Sequence, residues 1–163
     1  MSAKLRPSPH PGDRAAMALF RRPHLTRDQQ RRVVAAIDAA ERGHRGEIGV
    51  HLEARYTGDG PLARAGELFH TLGMDRTRDG TGVLLYVAVD DRRAAVWAGP
   101  GVYGATAPEF WKVATDRVAQ GFAEGRPAEG LISALAAIGE LLLTAAPGED
   151  DAGDELPNRV TTS

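Results

Sequence analysis

Acidic side chains of this sequence are spaced so that they could meet around a bound cation. Glu47 opens a strand pattern at 47–53, and Asp79 precedes an apolar run at 83–89. If these two strands are parallel, both acids lie at the edge of the sheet where the strands begin. Calcium and magnesium bind through several oxygen ligands, so this amino-end edge is a candidate site for a divalent cation.

A glycine-rich segment is expected at the same edge. The strand pattern at 94–98 runs back from a turn and delivers Gly99, Gly101 and Tyr103 to it, and Glu109 begins the next helix pattern close by. The segment fits a flexible connection or, as the alternative, a loop that cradles phosphate with its backbone amides. The flexible connection is favoured because the segment does not open a helix directly.

The opposite edge of the sheet holds a second candidate site. Glu53, Asp90 and Asp91 fall at the carboxyl ends of the two predicted parallel strands. Ligands of open α/β sheets usually bind at the carboxyl ends. However, Asp-Asp-Arg-Arg between two strands is also the composition of a tight polar hairpin turn. The hairpin interpretation is therefore favoured for Asp90 and Asp91.

Other common catalytic and metal-binding arrangements are missing from the sequence. The chain has no cysteine, which excludes disulfides, thiolate zinc sites and cysteine nucleophiles. No two of the five histidines are four residues apart, so no helical pair is available for zinc. No phosphate-binding loop with its lysine and no dinucleotide-binding glycine motif is present.

Composition and charge restrict the class of protein. The 163 residues suffice for one domain, and a formal net charge of −2 argues against general nucleic-acid binding, which needs a strongly basic face. The N-terminus lacks the apolar run of a secretory signal. The apolar stretch at 131–146 is interrupted by Gly139 and Glu140, so a buried core helix is expected instead of a membrane span. A cytoplasmic protein without a transmembrane segment is predicted.

The candidate residues are carried by an alternating series of helices and strands. Helix patterns cover 27–42, 61–72, 108–124 and 127–145, and strand patterns cover 47–53, 83–89 and 94–98. A parallel strand–helix–strand unit followed by a hairpin predicts a mixed, mostly parallel sheet of three to four strands with helices on both faces. The predicted fold class is therefore a three-layer α/β/α sandwich.

The two ends of the chain differ in composition from the body at 25–146. Residues 1–24 are basic and proline-rich, whereas residues 147–163 carry five acids against the single Arg159. Neither end holds enough apolar surface to offset the entropy lost on ordering. We therefore expect a disordered basic arm and a disordered acidic tail on either side of a single domain.

Four short motifs of the body occur in a recognisable order. They are Arg-Gly-Glu-Ile-Gly-Val at 45–50, Asp-Gly-Thr-Gly at 79–82, Asp-Asp-Arg-Arg at 90–93 and Phe-Ala-Glu-Gly at 122–125. In this order and spacing the chain resembles the TPM-domain family over residues 19–146. The resemblance implies an α/β/α sandwich. The family includes members to which metal-dependent phosphomonoester hydrolysis has been assigned, and other members that serve in membrane-complex repair or as receptor auxiliaries.

The resemblance also implies roles for individual residues. Asp79 corresponds to the aspartate of the family's Asp-Asn-Gly motif. The turn after the third strand is typically Gly-x-Gly-Leu-Glu in the family. Here Gly99 and Gly101 match its glycines, and Tyr103 stands where the acid is typical. That departure removes an expected metal ligand.

The favoured function is that of a protein-binding module. Such a module would act in protein assembly or quality control, in a chaperone-like or auxiliary role without strong catalysis. Its partners would be other proteins, such as a membrane protein or membrane complex. The tyrosine at 103 and the lack of a nucleophile support this interpretation.

The alternative function is a divalent-metal-dependent phosphomonoester hydrolase. Its residues would be Asp79 for catalysis and metal binding, Glu47 and Glu109 as further oxygen ligands, and Arg45 or Arg78 for phosphate. Arginine forks suit phosphate oxygens, and the cation would neutralise charge that develops on them. The expected cation is Ca²⁺ or Mg²⁺, weakly bound because Tyr103 replaces a carboxylate.

Overall fold

The structure, a computed structural model, describes residues 24–104, 108–149 and 156–163. In chain order the elements are α1 (Arg27–Ala40), β1 (Glu47–Glu53), α2 (Pro61–Thr71), a 3₁₀ turn (Met74–Arg76), β2 (Gly82–Ala88), β3 (Arg93–Ala98), the short α3 (Pro100–Tyr103), α4 (Pro108–Ala123), α5 (Pro127–Ala145) and β4 (Val160–Thr162). Each predicted helix and strand of the body is present. The expectation that the glycine-rich segment does not open a helix directly is wrong, because Gly99 is the N-cap of the four-residue α3.

One sheet of four strands organises the described residues, in the order β3-β2-β1-β4. β1 runs parallel to β2, with Glu47 opposite Gly82, and β4 runs parallel to β1 on its other side. β3 returns antiparallel to β2 and forms the opposite edge of the sheet. The sheet is therefore mixed and mostly parallel, as predicted.

Helices cover both faces of this sheet and create two hydrophobic clusters. α1, α4 and α5 pack on one face, where Leu85 of β2 and Leu135 of α5 are fully buried. α2 and the 3₁₀ turn pack on the other face, where Phe69 and Met74 meet Tyr86. The three-layer α/β/α sandwich is confirmed, and β2 is buried along its whole length as its unbroken apolar sequence predicts.

Helix α1 begins at the capping box that its sequence predicts. The Gln29 backbone N–H donates to Thr26 Oγ1 over 3.1 Å, and the Thr26 N–H donates to Gln29 Oε1 over 2.9 Å. The helix ends at Ala40, two residues before the predicted boundary, and Gly43 follows with a left-handed φ of 82°. These local signals fix the start of the helix more sharply than its end.

Strand β1 is buried more completely than its alternating sequence predicts. Ile48, Val50 and Leu52 face the α1–α4–α5 cluster, as expected of a half-buried strand. The other face is covered as well, because Arg64 of α2 contacts Glu53 and Met74 of the 3₁₀ turn lies against Gly49. A Cβ added at Gly49 would lie 2.9 Å from Met74 Sδ, so a side chain there would require the Met74 side chain to shift.

Helix α5 is the most apolar helix of the described residues. It has 19 residues, and by length and composition alone it could cross a membrane, although a buried core helix has the same features. Leu131, Leu135, Ile138 and Leu142 are completely buried or nearly so. A Cβ added at Gly121 of α4 would lie 2.4 Å from the Gly130 Cα of α5, so the two helices meet backbone to backbone.

The prediction of a disordered tail over 147–163 is wrong for residues 156–163. Val160–Thr162 form β4 along the outer edge of β1, and the Ser163 N–H donates to the Leu52 carbonyl over 3.2 Å. Leu156 and Val160 also pack against the two apolar clusters. The unpaired edge of β1 supplies a partner that the tail's own composition does not reveal. Residues 1–23 and 150–155, also predicted to be disordered, lie outside the described residues.

Candidate functional site

The glycine-rich turn lies directly against Asp79 and Gly80, at the amino-end edge of β1 and β2. The Gly101 N–H donates to the Gly80 carbonyl oxygen over 2.9 Å. A Cβ added at Gly101 would lie 2.1 Å from the Asp79 carbonyl oxygen, and one at Gly99 would lie 2.4 Å from the Gly80 carbonyl oxygen. The two glycines are needed because any side chain there would push the two turns apart.

Asp79 is part of an ion-paired cluster with the two arginines predicted beside it. Arg45 Nη1 lies 3.0 Å from Asp79 Oδ2, and Arg78 Nη2 lies 3.9 Å from the same oxygen. Arg45 is held from its other side, since its Nε donates to the Pro147 carbonyl over 2.9 Å. A cation approaching Asp79 would therefore have to compete with a fixed guanidinium.

The two glutamates predicted as further ligands occupy different environments. Glu47 starts β1 and is buried, with 2% of its surface exposed, whereas Glu109 lies on the exposed first turn of α4. Across residues 24–104, 108–149 and 156–163, no group of three histidine, aspartate or glutamate side chains is arranged to hold a metal ion. The structure thus unites Asp79 with the glycine turn and the arginines, but it forms no three-acid ligand cluster there.

A large apolar cleft opens next to this turn, and we call it the α2 cleft. It has a volume of about 610 Å³ and is lined by Leu62 and Phe69 of α2, Trp97 of β3, and Pro100 and Tyr103 of α3. Tyr103 is 62% exposed and Leu62 is 54% exposed. Leu62 fits the apolar stripe of its helix but does not reach the core. The cleft was not predicted from the sequence. The one sequence feature that could have indicated it is Tyr103, which stands at a position where an acid is typical.

Asp90 and Asp91, at the opposite edge, build the β2–β3 hairpin. Asp91 Oδ2 accepts a hydrogen bond from the Tyr56 N–H over 2.9 Å, and the Asp90 N–H donates to the Ala54 carbonyl over 2.8 Å. Arg92 follows with a left-handed φ of 54°, which a tight turn requires. These contacts favour the structural interpretation of the hairpin acids.

A buried charged network that sequence reasoning did not find lies at the end of β1. Arg64 of α2 holds Glu53 with both arms of its guanidinium, Nε at 2.9 Å and Nη2 at 3.1 Å. The Tyr86 hydroxyl and the Ser163 hydroxyl also donate to this carboxylate. Burial raises the pKa of Glu53, but the hydrogen bonds from Arg64, Tyr86 and Ser163 outweigh it and leave the pKa lowered.

His51 connects the same network to β4. Its Nδ1 lies 2.7 Å from Thr161 Oγ1, its Nε2 lies 3.0 Å from Ser163 Oγ, and its ring stacks on Tyr86. Burial lowers the pKa of His51, and it also lowers the pKa of His44. The His51 side chain, as a neutral imidazole, therefore links β4 to the rest of the sheet.

Comparison with known proteins identifies the family. The model of the TPM domain matches residues 23–141, which is most of the described body. The chain belongs to the TPM-domain family. No curated protein matches the chain.

Solved structures of similar proteins have the same fold as this TPM domain. The NMR structure of the BA42 protein from the psychrophilic bacterium Bizionia argentinensis has 32% identity and a TM-score of 0.78, covering 88% of this chain and 98% of its own. The N-terminal domain of a protein from P. gingivalis has 21% identity and a TM-score of 0.63, covering 77% and 82%. The N-terminal domain of the cg2496 protein from Corynebacterium glutamicum has 14% identity and a TM-score of 0.58, covering 77% and 78%. The last two show the fold alone.

The stability of this TPM domain is expected to fall as the pH drops from about 7 to about 5. The folded pKa values of His44 and His51 lie below their ordinary value of 6.5, so in this range the unfolded chain binds more protons. Glu53, whose folded pKa is also lowered, adds a further loss once the pH falls below its ordinary value of 4.5. Urea unfolding at constant ionic strength measures the effect.

The His51→Gln variant is the control for this pH dependence. It should show a smaller decrease over the same interval, because one of the two buried imidazoles is gone. A stability that stays level or increases toward pH 5 in the unmodified protein would contradict the prediction.

Proposed function

We propose that this TPM domain is a protein-binding module that acts in the assembly or quality control of other proteins, with the α2 cleft as its binding surface. The observation that carries the proposal is the apolar cleft beside the glycine turn. Its rim bears Leu62 and Tyr103, each more than half exposed. Open apolar clefts with exposed aromatic residues are typical of binding surfaces.

The character of the lining supports a ligand with apolar side chains. Phe69, Trp97 and Pro100 form the lining together with the two exposed residues, and a hydrogen bond joins His70 Nδ1 and Asp75 Oδ2 at the boundary of the cleft. Aromatic residues provide a large contact area at a low entropic cost because they have few rotatable bonds. A protein segment with apolar side chains matches this chemistry better than a small polar phosphate ester does.

A divalent-metal-dependent phosphomonoester hydrolase is the second candidate. It is supported by the position of Asp79, which lies against the glycine turn with Arg45 and Arg78 beside it. The difficulty for this candidate is the small number of carboxylate ligands available to a cation. The carboxylate of Asp79 is already engaged by Arg45, and Tyr103 offers no carboxylate, so a calcium or magnesium ion would keep most of its water.

Metal binding and hydrolysis separate the two candidates. Titration with Ca²⁺ or Mg²⁺ should move the backbone amide signals around Asp79 only at high metal concentration, and turnover of an aryl phosphate should be negligible. Tyr103→Glu should strengthen metal binding because it adds a carboxylate to the turn that contacts Asp79. Robust metal-dependent hydrolysis by the unmodified protein, abolished by Asp79→Asn, would overturn the binding-module proposal. Hydrolysis that instead requires Asp90 or Asp91 would place an enzyme at the opposite edge.

A display experiment tests the binding surface itself. Random peptides are selected on the immobilised protein. The affinity of the enriched peptides is then measured for the unmodified protein and for the Leu62→Ser and Tyr103→Ser variants. Leu143→Ser is the matched control, since Leu143 is 51% exposed but lies on α5, across the sheet from the cleft. Peptides should lose affinity for the two cleft variants and keep it for the control. A selection in which no peptide depends on Leu62 or Tyr103 would contradict the proposal.

A further inference from the structure

The outer edge of β3 carries backbone groups directed away from the sheet. The Gly99 N–H donates to the Gly82 carbonyl, and the register continues with Ala98 opposite Val83 and Trp97 opposite Leu84. In an antiparallel ladder every second residue bonds to its neighbour strand. Ala95 and Trp97 therefore bond toward β2, whereas the N–H and C=O groups of three residues point outward. Those residues are Ala94, Val96 and Ala98.

Between Arg93 and Pro100, the sequence of this edge carries no charge or proline that would block pairing. Natural edge strands are usually blunted by charges, proline or a bulge. From 94 to 98 the strand reads Ala-Ala-Val-Trp-Ala, and its register with β2 runs without interruption from Arg93 to Ala98. In the part of the chain that the structure describes, no strand pairs with this edge, while the opposite edge of the sheet is occupied by β4.

Apolar clefts flank the edge on both faces of the sheet. On one face, the Trp97 side chain lines the α2 cleft. On the other face lies a groove of about 340 Å³ beside α4, which we call the α4 groove, lined by Ala94 and Phe122. Successive side chains of a strand point to opposite faces. A strand added to this edge would therefore place its side chains alternately toward the two clefts.

The charge around the edge is asymmetric. Arg92 and Arg93 are exposed at the start of β3, and both also line the α4 groove. The far end of the strand leads into the neutral Gly-Pro-Gly turn at 99–101. An acidic residue on a partner segment would find complementary charge at this arginine end, where Asp90 and Asp91 precede the two arginines in the hairpin.

We propose that an extended segment of a partner protein binds this TPM domain by adding an antiparallel strand to β3. Its backbone pairs with Ala94, Val96 and Ala98, its apolar side chains enter the α2 cleft, and acidic residues at its carboxyl end lie beside Arg92 and Arg93. This mode of binding rests on the proposed function as a protein-binding module. To that function it adds three properties of the bound segment: an extended conformation, an antiparallel direction relative to β3, and acidic residues at its carboxyl end.

Hydrogen exchange of individual backbone amides tests the pairing. The probe is the synthetic peptide acetyl-Val-Thr-Val-Thr-Val-Asp-Asp-amide, added to the full chain. The amides of Ala94, Val96 and Ala98 should exchange rapidly without the peptide and become protected with it. The amides of Ala95 and Trp97, already bonded toward β2, should change little. Protection without this alternation would overturn strand addition.

Two variants test the backbone and the charge separately. Ala94→Pro removes one outward N–H at an edge position and should weaken binding of the probe at least about tenfold, or about 1.4 kcal/mol. The matched control Ala94→Ser keeps the N–H and should bind like the unmodified protein. Arg93→Glu should also weaken binding, and a peptide ending in Lys-Lys should then recover part of it. Equal binding by both peptides to both proteins would overturn the charge assignment.

The outcomes distinguish this inference from the function on which it rests. If displayed peptides depend on Leu62 and Tyr103 but leave Ala94, Val96 and Ala98 unprotected, the binding module stands and strand addition fails. If no peptide depends on the cleft, the proposed function fails first. Protection of the same three amides without peptide, increasing with protein concentration, would show that a second copy covers the edge and would also overturn the proposal.

Discussion

Replacing Arg64 with alanine is expected to lower the free energy of unfolding by about 3 kcal/mol. The substitution leaves the Glu53 carboxylate, whose side chain is only 8% exposed, without its two-armed partner. Breaking a buried ion pair from one side costs about 3–5 kcal/mol. The lower end applies because the Arg64 side chain is 22% exposed, so water can reach part of the site. Chemical unfolding at neutral pH measures the loss.

The surface pair of Arg42 and Asp38 provides the control for this prediction. Their side chains are 75% and 58% exposed, so Arg42→Ala should change the stability by less than about 1 kcal/mol. If Arg64→Ala costs no more than Arg42→Ala, the Glu53 network does not stabilise the fold.

Replacing Leu85 with alanine is expected to cost about 2–5 kcal/mol through lost burial and a residual cavity. Leu85 is completely buried at the centre of the sheet, between Val50 of β1 and Val96 of β3. Its side chain fills the larger of the two apolar clusters, where close packing restricts collapse of the neighbours. Denaturant unfolding of the purified variant gives the difference directly.

Leu143→Ala removes the same atoms from a surface position and is the matched control. Leu143 is 51% exposed, so its loss should change the stability by no more than about 0.5 kcal/mol. A cost below about 1 kcal/mol for Leu85→Ala would contradict the position of β2 in the interior of the sheet.

The order of elements and the fold class could be predicted from the sequence because their signals are local. The capping box at Thr26 and Gln29 marks the start of α1, and the unbroken apolar run of β2 predicts a strand covered on both faces. The meeting of Asp79 with the glycine turn also followed from the sequence. Once β1 and β2 are parallel and β3 returns, chain direction alone brings these segments to one edge.

The tertiary structure alone decided which polar side chains find partners. Glu53 meets Arg64, Tyr86 and Ser163 across separations of 11, 33 and 110 residues. No local pattern encodes contacts of this kind. For the same reason, the sequence could predict that Asp79 and Arg45, 34 residues apart, lie near each other, but not that they form an ion pair.

The tail strand and the α2 cleft show the same limit. β4 has three residues, too few for a periodic pattern, and it is ordered because the edge of β1 offers it backbone partners. The α2 cleft exists because α2 leaves Leu62 exposed while the turn after β3 places Tyr103 beside it. The sequence by itself determined the elements and their order. Long-range packing decided which edges stay open and which apolar side chains remain exposed, because these depend on how the elements cover one another.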